Sequence, residues 1–133
     1  MSIKELYSVS RSIDFVLNDI EIRAKIKSNS DQDFVNLLIE LMRYSFNSLL
    51  SLQSQMLTFK DQIPISCSMV YLIGSFSVLG NFHVELSRTM LKRLFQFFSF
   101  GNDLLKNMAL HSFKKWSVLN CSYFIENMVS FNY

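Results

Sequence analysis

The chain has 133 residues and a net charge of +2; half of its residues are hydrophobic and only 18% are charged, where about 25% is usual. That length fits one domain, residues 1–133, able to bury roughly two thirds of the surface of its unfolded state. Three Gly and one Pro argue against an all-β fold, which needs many tight turns, and so small a charge makes no case for nucleic acid or an acidic membrane.

Ser2 and Glu5 match a capping box, in which each side chain satisfies a free amide at a helix start. The spacing predicts a first helix to about Lys27, with Leu6, Val9, Ile13, Val16, Leu17, Ile20 and Ala24 on one face at three- and four-residue steps. Phe15, Ile22 and Ile26 fall on the other side and call for a second contact. Ser30 with Asp33, or Asp31 itself, caps a second helix whose apolar row is Phe34, Leu38, Leu41, Leu49, Leu52, Met56 and Phe59, with Ser45 in its middle. No charge occurs from Tyr44 to Phe59. Pro64 then predicts a break, because proline cannot continue the preceding helix.

The third helix is expected from Pro64 or Ser66 to Gly80-Asn81, with Met69, Val70, Ile73, Phe76 and Leu79 as its face. Gly74 inside it costs about 1 kcal/mol relative to alanine, which predicts the close approach of a neighbouring helix. A fourth helix over residues 82–99 carries two stripes: Val84, Ser87, Leu91, Leu94, Phe95 and Phe98, and then Phe82, Leu86, Met90, Phe97 and Phe100. Such a helix is too apolar for a simple surface role and is expected to be sandwiched. Asn102 or Asp103 caps a fifth helix through Leu105, Met108, Ala109, Phe113 and Trp116, with Lys114 and Lys115 facing out. Asn120-Cys121-Ser122 reads as a turn, and residues 123–131 as a last short helix with Phe124, Ile125, Met128 and Val129.

Cys67 and Cys121 are the only cysteines, which predicts no disulfide framework and an intracellular, reducing compartment, nuclear or cytoplasmic. The N-terminal residues lack a basic segment followed by an apolar run, so no signal peptide is expected. Residues 63–82 have the length of a membrane span. Ser66, Ser68, Ser75, Ser77 and Asn81, without a one-sided basic flank, make a buried helix the expectation and a membrane partner not.

Little in the sequence points to chemistry. Cys67, His83, His111 and Cys121 stand singly, without the short pair spacings of zinc sites. No Gly-x-Ser-x-Gly is present, and Gly74, Gly80 and Gly101 fit no phosphate-binding loop. No catalytic residue, metal or cofactor is expected. Residues 82–133 carry six basic residues against three acidic ones. Arg88, Lys92 and Arg93 are the candidates for nucleic-acid contact, with a solvated face as the simpler reading.

The apolar excess is the sharper signal. A small bundle buries one stripe per helix, and stripes beyond that require either a layered stack or a partner. The candidate partner-binding residues are Phe82, Leu86, Phe97 and Phe100, with Phe15, Ile22 and Ile26 second. Ala109-Leu110, then Phe113, then Trp116 resembles the second half of a HEAT-type helical repeat. Residues 63–100 and 103–131 follow one another as two helix pairs, as in such repeats. The resemblance implies scaffolding, of the kind found in chromosome maintenance and nuclear transport. The expected fold is all-α: five or six antiparallel helices, as an irregular HEAT-like stack or a compact bundle. The expected function is a non-enzymatic protein–protein interaction module, a scaffold subunit of a hetero- or homo-oligomer. The alternatives are a Bcl-2-like regulatory bundle taking an amphipathic helix in a groove, and an apolar-ligand carrier or enzyme with an inter-helix pocket.

Overall fold

A computed structural model describes residues 2–28, 31–55, 59–99 and 102–119, which form six α-helices and no strand. These are α1 (Ile3–Leu17), α2 (Ile20–Lys27), α3 (Gln32–Gln53), α4 (Phe59–Phe76), α5 (Val84–Gln96) and α6 (Asp103–Leu119), with 3-10 turns at Gly80–Phe82 and Phe97–Ser99. The fold class is all-α, as expected. The expected turn at residues 120–122, the last helix at 123–131 and Phe100 lie outside the described residues.

Helix starts follow from capping side chains. Ser2 Oγ accepts from the Glu5 amide at 3.2 Å and donates to the Glu5 carboxylate at 3.1 Å. Asp31 accepts from the Phe34 amide at 3.0 Å and Asn102 from the Leu105 amide at 3.1 Å. His83 opens α5 by accepting from the Leu86 amide on Nδ1. Each cap satisfies one of the amides that a helix start leaves without a partner.

The first predicted helix is in fact two. Asp19 is extended and its carboxylate accepts from the amides of Glu21 and Ile22. Arg23 closes the elbow by donating from Nε to the carbonyl of Leu17 and from its guanidinium to Asn18 Oδ1, both at 2.7 Å. An Asp that captures two amides restarts a helix instead of continuing one. The restart leaves Ile20 and Ala24 exposed while burying Ile26, and Val16, in α1 before the elbow, is also exposed.

The expected break at Pro64 does not occur there. Helix α4 starts five residues earlier, at Phe59, and Pro64 lies inside it. Proline has no amide hydrogen to donate to the carbonyl four residues earlier, so one intrahelical bond is lost, and it is lost at exposed Lys60, one turn from the helix start. The break falls instead after Gln53, where α3 ends.

Helix α4 is the hub. Residues 65–70 and 72–77 are all buried, with α1, α3, α5 and α6 packed around them. Contacts are ordered along the chain: Tyr7 packs edge-on to Tyr71 and Asp14 meets Ser75, while Ser112 and Trp116 bond the carbonyls of Val70 and Ile73. Both α1 and α6 therefore run in the same direction as α4. The antiparallel order of successive helices does not extend to these three, because the intervening helices carry the chain back.

Close packing explains the serines and the glycine of α4. Ser68 bonds the carbonyl of Pro64, Ser75 has the carbonyl of Tyr71 and the carboxylate of Asp14 within reach, and Ser77, just past the helix end, bonds the carbonyl of Gly74, so their hydroxyls have acceptors within the protein. At Gly74 a Cβ would lie 2.7 Å from Ser112 Oγ and 3.3 Å from Ser112 Cβ. The close approach expected at this glycine is present, and α6 is the neighbour.

Helix α5 differs from its expected sandwich. Leu86, Ser87, Met90, Leu91 and Leu94 form one buried face, continued by Phe97, while Glu85, Arg88, Thr89, Lys92 and Gln96 are exposed. The tighter 3-10 turn at Phe97–Ser99 brings Phe97 inward, with Phe98 stacked on Phe113 at 4.8 Å. The two predicted stripes thus merge into one broad one.

Candidate interaction surface

The seven residues expected to bind a partner are dispersed. Ile26, Leu86 and Phe97 belong to the buried core, which corrects their assignment to an outer surface. The α1–α2 elbow turns Ile26 inward, and the breadth of the α5 face takes in Leu86 and Phe97. Ile22 is half-buried against the same core. Phe82 is a borderline exposed residue in the turn before α5, and Phe15 is 82% exposed. Phe100 lies outside the described residues. Arg88 and Lys92 are exposed one turn apart on α5, and Arg93 is half-buried.

A coherent exposed stripe exists where sequence reasoning placed core or nothing. On α3, Leu37 is 67% exposed, Leu41 42% and Tyr44 63%. Their four- and three-residue steps put them on one face. The core side of α3 is Val35, Ile39, Met42, Ser45, Phe46 and Leu49, so the expected apolar row, with Leu41 in it, is displaced round the helix. Phe34, Leu38 and Leu52 are half-buried between the two faces. The signal was in the density of apolar residues: residues 34, 35, 37, 38, 39, 41 and 42 are more than one buried face can hold.

Among the described residues, two clefts between helices stand out. The first, about 360 Å³, has α4 as its floor at Val70, Tyr71 and Gly74, α1 on one side at Asp14, and α6 on the other at Asn107, Met108, His111 and Lys115. Lys115 donates to Asp14 Oδ1 at 2.7 Å, each side chain being only 19% exposed. The Ser75 hydroxyl lies 2.7 Å from the same carboxylate oxygen and 2.8 Å from the Tyr71 carbonyl, two acceptors for its one proton. Lys115, expected to face out, is instead the tie between α6 and α1. Burial, followed by neighbouring Tyr7, raises the Tyr71 hydroxyl above its ordinary value of 10.0.

The second cleft, about 500 Å³, is apolar and lined by Ile3, Lys4, Tyr7, Ile63, Pro64 and Cys67. Cys67 is a free, buried thiol, and burial pushes it above its ordinary value of 9.0. A thiol so placed is a poor nucleophile. On α3, Arg43 pairs with Glu40 at 3.1 Å and its guanidinium lies against His83 Nε2.

Among the described residues no three His, Cys, Asp or Glu side chains converge as metal ligands, and no helix is long and apolar enough to cross a membrane. Comparison with protein-family models, curated proteins and solved structures finds no match.

Proposed function

We propose that this chain is a non-enzymatic protein–protein interaction module, a scaffold subunit that binds an apolar-striped helix of another chain on α3. The observation that carries the reading is the exposed row Leu37, Leu41 and Tyr44. A helix whose opposite side already supplies the core has no internal reason for such a row. Its spacing is that by which one helix receives another, and its aromatic end is of the residue type enriched at interface centres. The HEAT-type resemblance and a reducing intracellular compartment, nuclear or cytoplasmic, belong to the same proposal. Nucleic-acid contact through Arg88, Lys92 and Arg93 is a subordinate part of it.

The test is a photo-crosslinking amino acid in place of Leu41 of the full chain, expressed in its source cells. A discrete protein adduct that disappears with Tyr44→Asp is the expected result. Absence of an adduct, or one indifferent to Tyr44→Asp, refutes the reading.

The apolar-ligand alternative is favoured by one observation, the cleft at Ile3, Tyr7, Ile63, Pro64 and Cys67, whose size and apolar lining suit a small hydrophobic molecule. Native mass spectrometry showing a stoichiometric bound lipid would support it over the scaffold.

A further inference from the structure

The apolar cleft between α1 and α4 is surrounded by charge of one sign. Its walls are Ile3 and Tyr7 from α1 and Ile63, Pro64 and Cys67 from α4, and the charged side chain among its lining is Lys4. Lys60 is exposed on the same face of α4, three and four residues before Ile63 and Pro64. The Arg11 guanidinium lies over the ring of Tyr7, 5.8 Å from its centre. The two ion pairs among the described residues use other cations, Arg43 and Lys115. Of the acids on α1, Glu5 lies about 160° round the helix from Tyr7, and Asp14 is held by Lys115.

We propose that this cleft binds a long-chain monocarboxylate, its alkyl chain between α1 and α4 and its carboxylate among Lys4, Arg11 and Lys60. The proposal rests on the ligand-carrier reading of the cleft and adds the head group that selects the ligand.

Size selects an alkyl chain over a protein helix. From Ile3 to Tyr7, and from Ile63 to Cys67, the apolar walls run roughly 6 Å along each helix. That is about one turn, too short to seat a docked helix, whose anchors repeat over two turns or more. The volume of about 500 Å³ still takes a small hydrophobic molecule. Charge selects the head. Lysine and arginine give charge-assisted hydrogen bonds to a carboxylate. All three cations are exposed, so the head stays hydrated at the rim while the chain leaves water. A cationic head would meet three like charges there.

The test titrates the full chain with decanoate, decanol and decylammonium, each kept monomeric, by isothermal titration calorimetry. The three probes share one chain and differ in the head. Decanoate should bind one to one and about fivefold or more tighter than decanol, with decylammonium weakest. Lys4→Gln combined with Arg11→Gln alters two exposed residues; it should weaken decanoate by about fivefold and leave decanol unaffected. In methyl NMR spectra decanoate should shift Ile3 and Ile63 and leave Ile39, in the core face of α3, unmoved. Decanol binding as tightly as decanoate overturns the carboxylate assignment while the ligand-carrier reading survives. If none of the three probes binds, both fall. Decanoate binding that ignores the double variant, or that leaves Ile3 and Ile63 unmoved, overturns the proposal. So does binding to anionic phospholipid vesicles without binding to decanoate, which would give these cations to a bilayer surface.

Discussion

Replacing Gly74 by alanine tests whether α4 and α6 are in contact at the backbone. In an unconstrained helix interior the change stabilises by about 1 kcal/mol. Here the new methyl would lie 2.7 Å from Ser112 Oγ and 3.3 Å from Ser112 Cβ. Rotating the hydroxyl away breaks its bond to the Val70 carbonyl, which is 3.1 Å long and contributes about 1 kcal/mol. It does not relieve the Cβ contact. Overpacking of this kind costs about 1–3 kcal/mol. With the gain in helix propensity subtracted, Gly74→Ala destabilises by about 1–3 kcal/mol. Ser112→Ala removes the nearest atom, so in that background Gly74→Ala should be neutral to within about 0.5 kcal/mol. The difference between the two backgrounds is the coupling energy of the contact, read from urea unfolding followed by far-UV circular dichroism. If Gly74→Ala raises the midpoint in the parent chain, the close approach of α6 is wrong and the whole register of α4 against α6 goes with it.

Other substitutions probe other contacts. Phe97→Asp places a carboxylate at a fully buried position and should cost at least about 4 kcal/mol, enough to remove most helical signal. Leu37→Gln, on the exposed row, should change the unfolding midpoint by no more than the equivalent of about 0.5 kcal/mol; equal effects of the two would contradict the division into core and surface. Asp14→Asn leaves Lys115 without its carboxylate in a largely covered site and should cost about 1–3 kcal/mol. In a double-mutant cycle with Lys115→Met the two losses should fall short of additivity, and strict additivity would mean that the pair is not formed. Cys67 and Tyr71 both have folded-state pKa values raised by burial above 9.0 and 10.0. Their contribution to stability is therefore complete below pH 9 and declines as pH rises through the folded values. Cys67→Ala should flatten the first part of that alkaline decline in thermal melts, and an unchanged profile would exclude the thiol as its source.

Much of the core was legible from spacing alone. Met69, Val70, Ile73, Phe76 and Leu79 are all buried, because a helix surrounded on every side buries whatever apolar residues it has. The edges were harder. Residues 18 and 19 lie in the middle of a good amphipathic pattern, and only the side-chain bonds of Asp19 and Arg23 stop that helix and restart it. Spacing measures which residues share a face, whereas a cap depends on a local competition for amides that spacing does not record. The same limit applied to α5, where two stripes separated on paper by Arg88, Lys92 and Arg93 became one face wide enough to include Leu86 and Phe97. The Asp14–Ser75–Lys115 tie joins residues up to 101 positions apart, and no local pattern announces a contact of that kind. The α3 row was missed for a different reason: with seven apolar residues among nine positions, the choice of which face is inside depends on the neighbours, not on the helix.

The groove-binding alternative and the α3 row use different faces of the molecule. A Bcl-2-like receptor takes its partner helix alongside a buried central helix. Here the flanks of α4 are packed by α1, α3, α5 and α6, and α4 lines one cleft at the α1–α6 seam and another beside Ile3 and Tyr7. An amphipathic peptide held in the seam should be weakened by Met108→Asp, because Met108 lines it, and should be indifferent to Tyr44→Asp. A peptide held on the α3 row should show the reverse. Measuring one peptide against both variants therefore separates the surfaces, and a peptide weakened by neither uses neither of them.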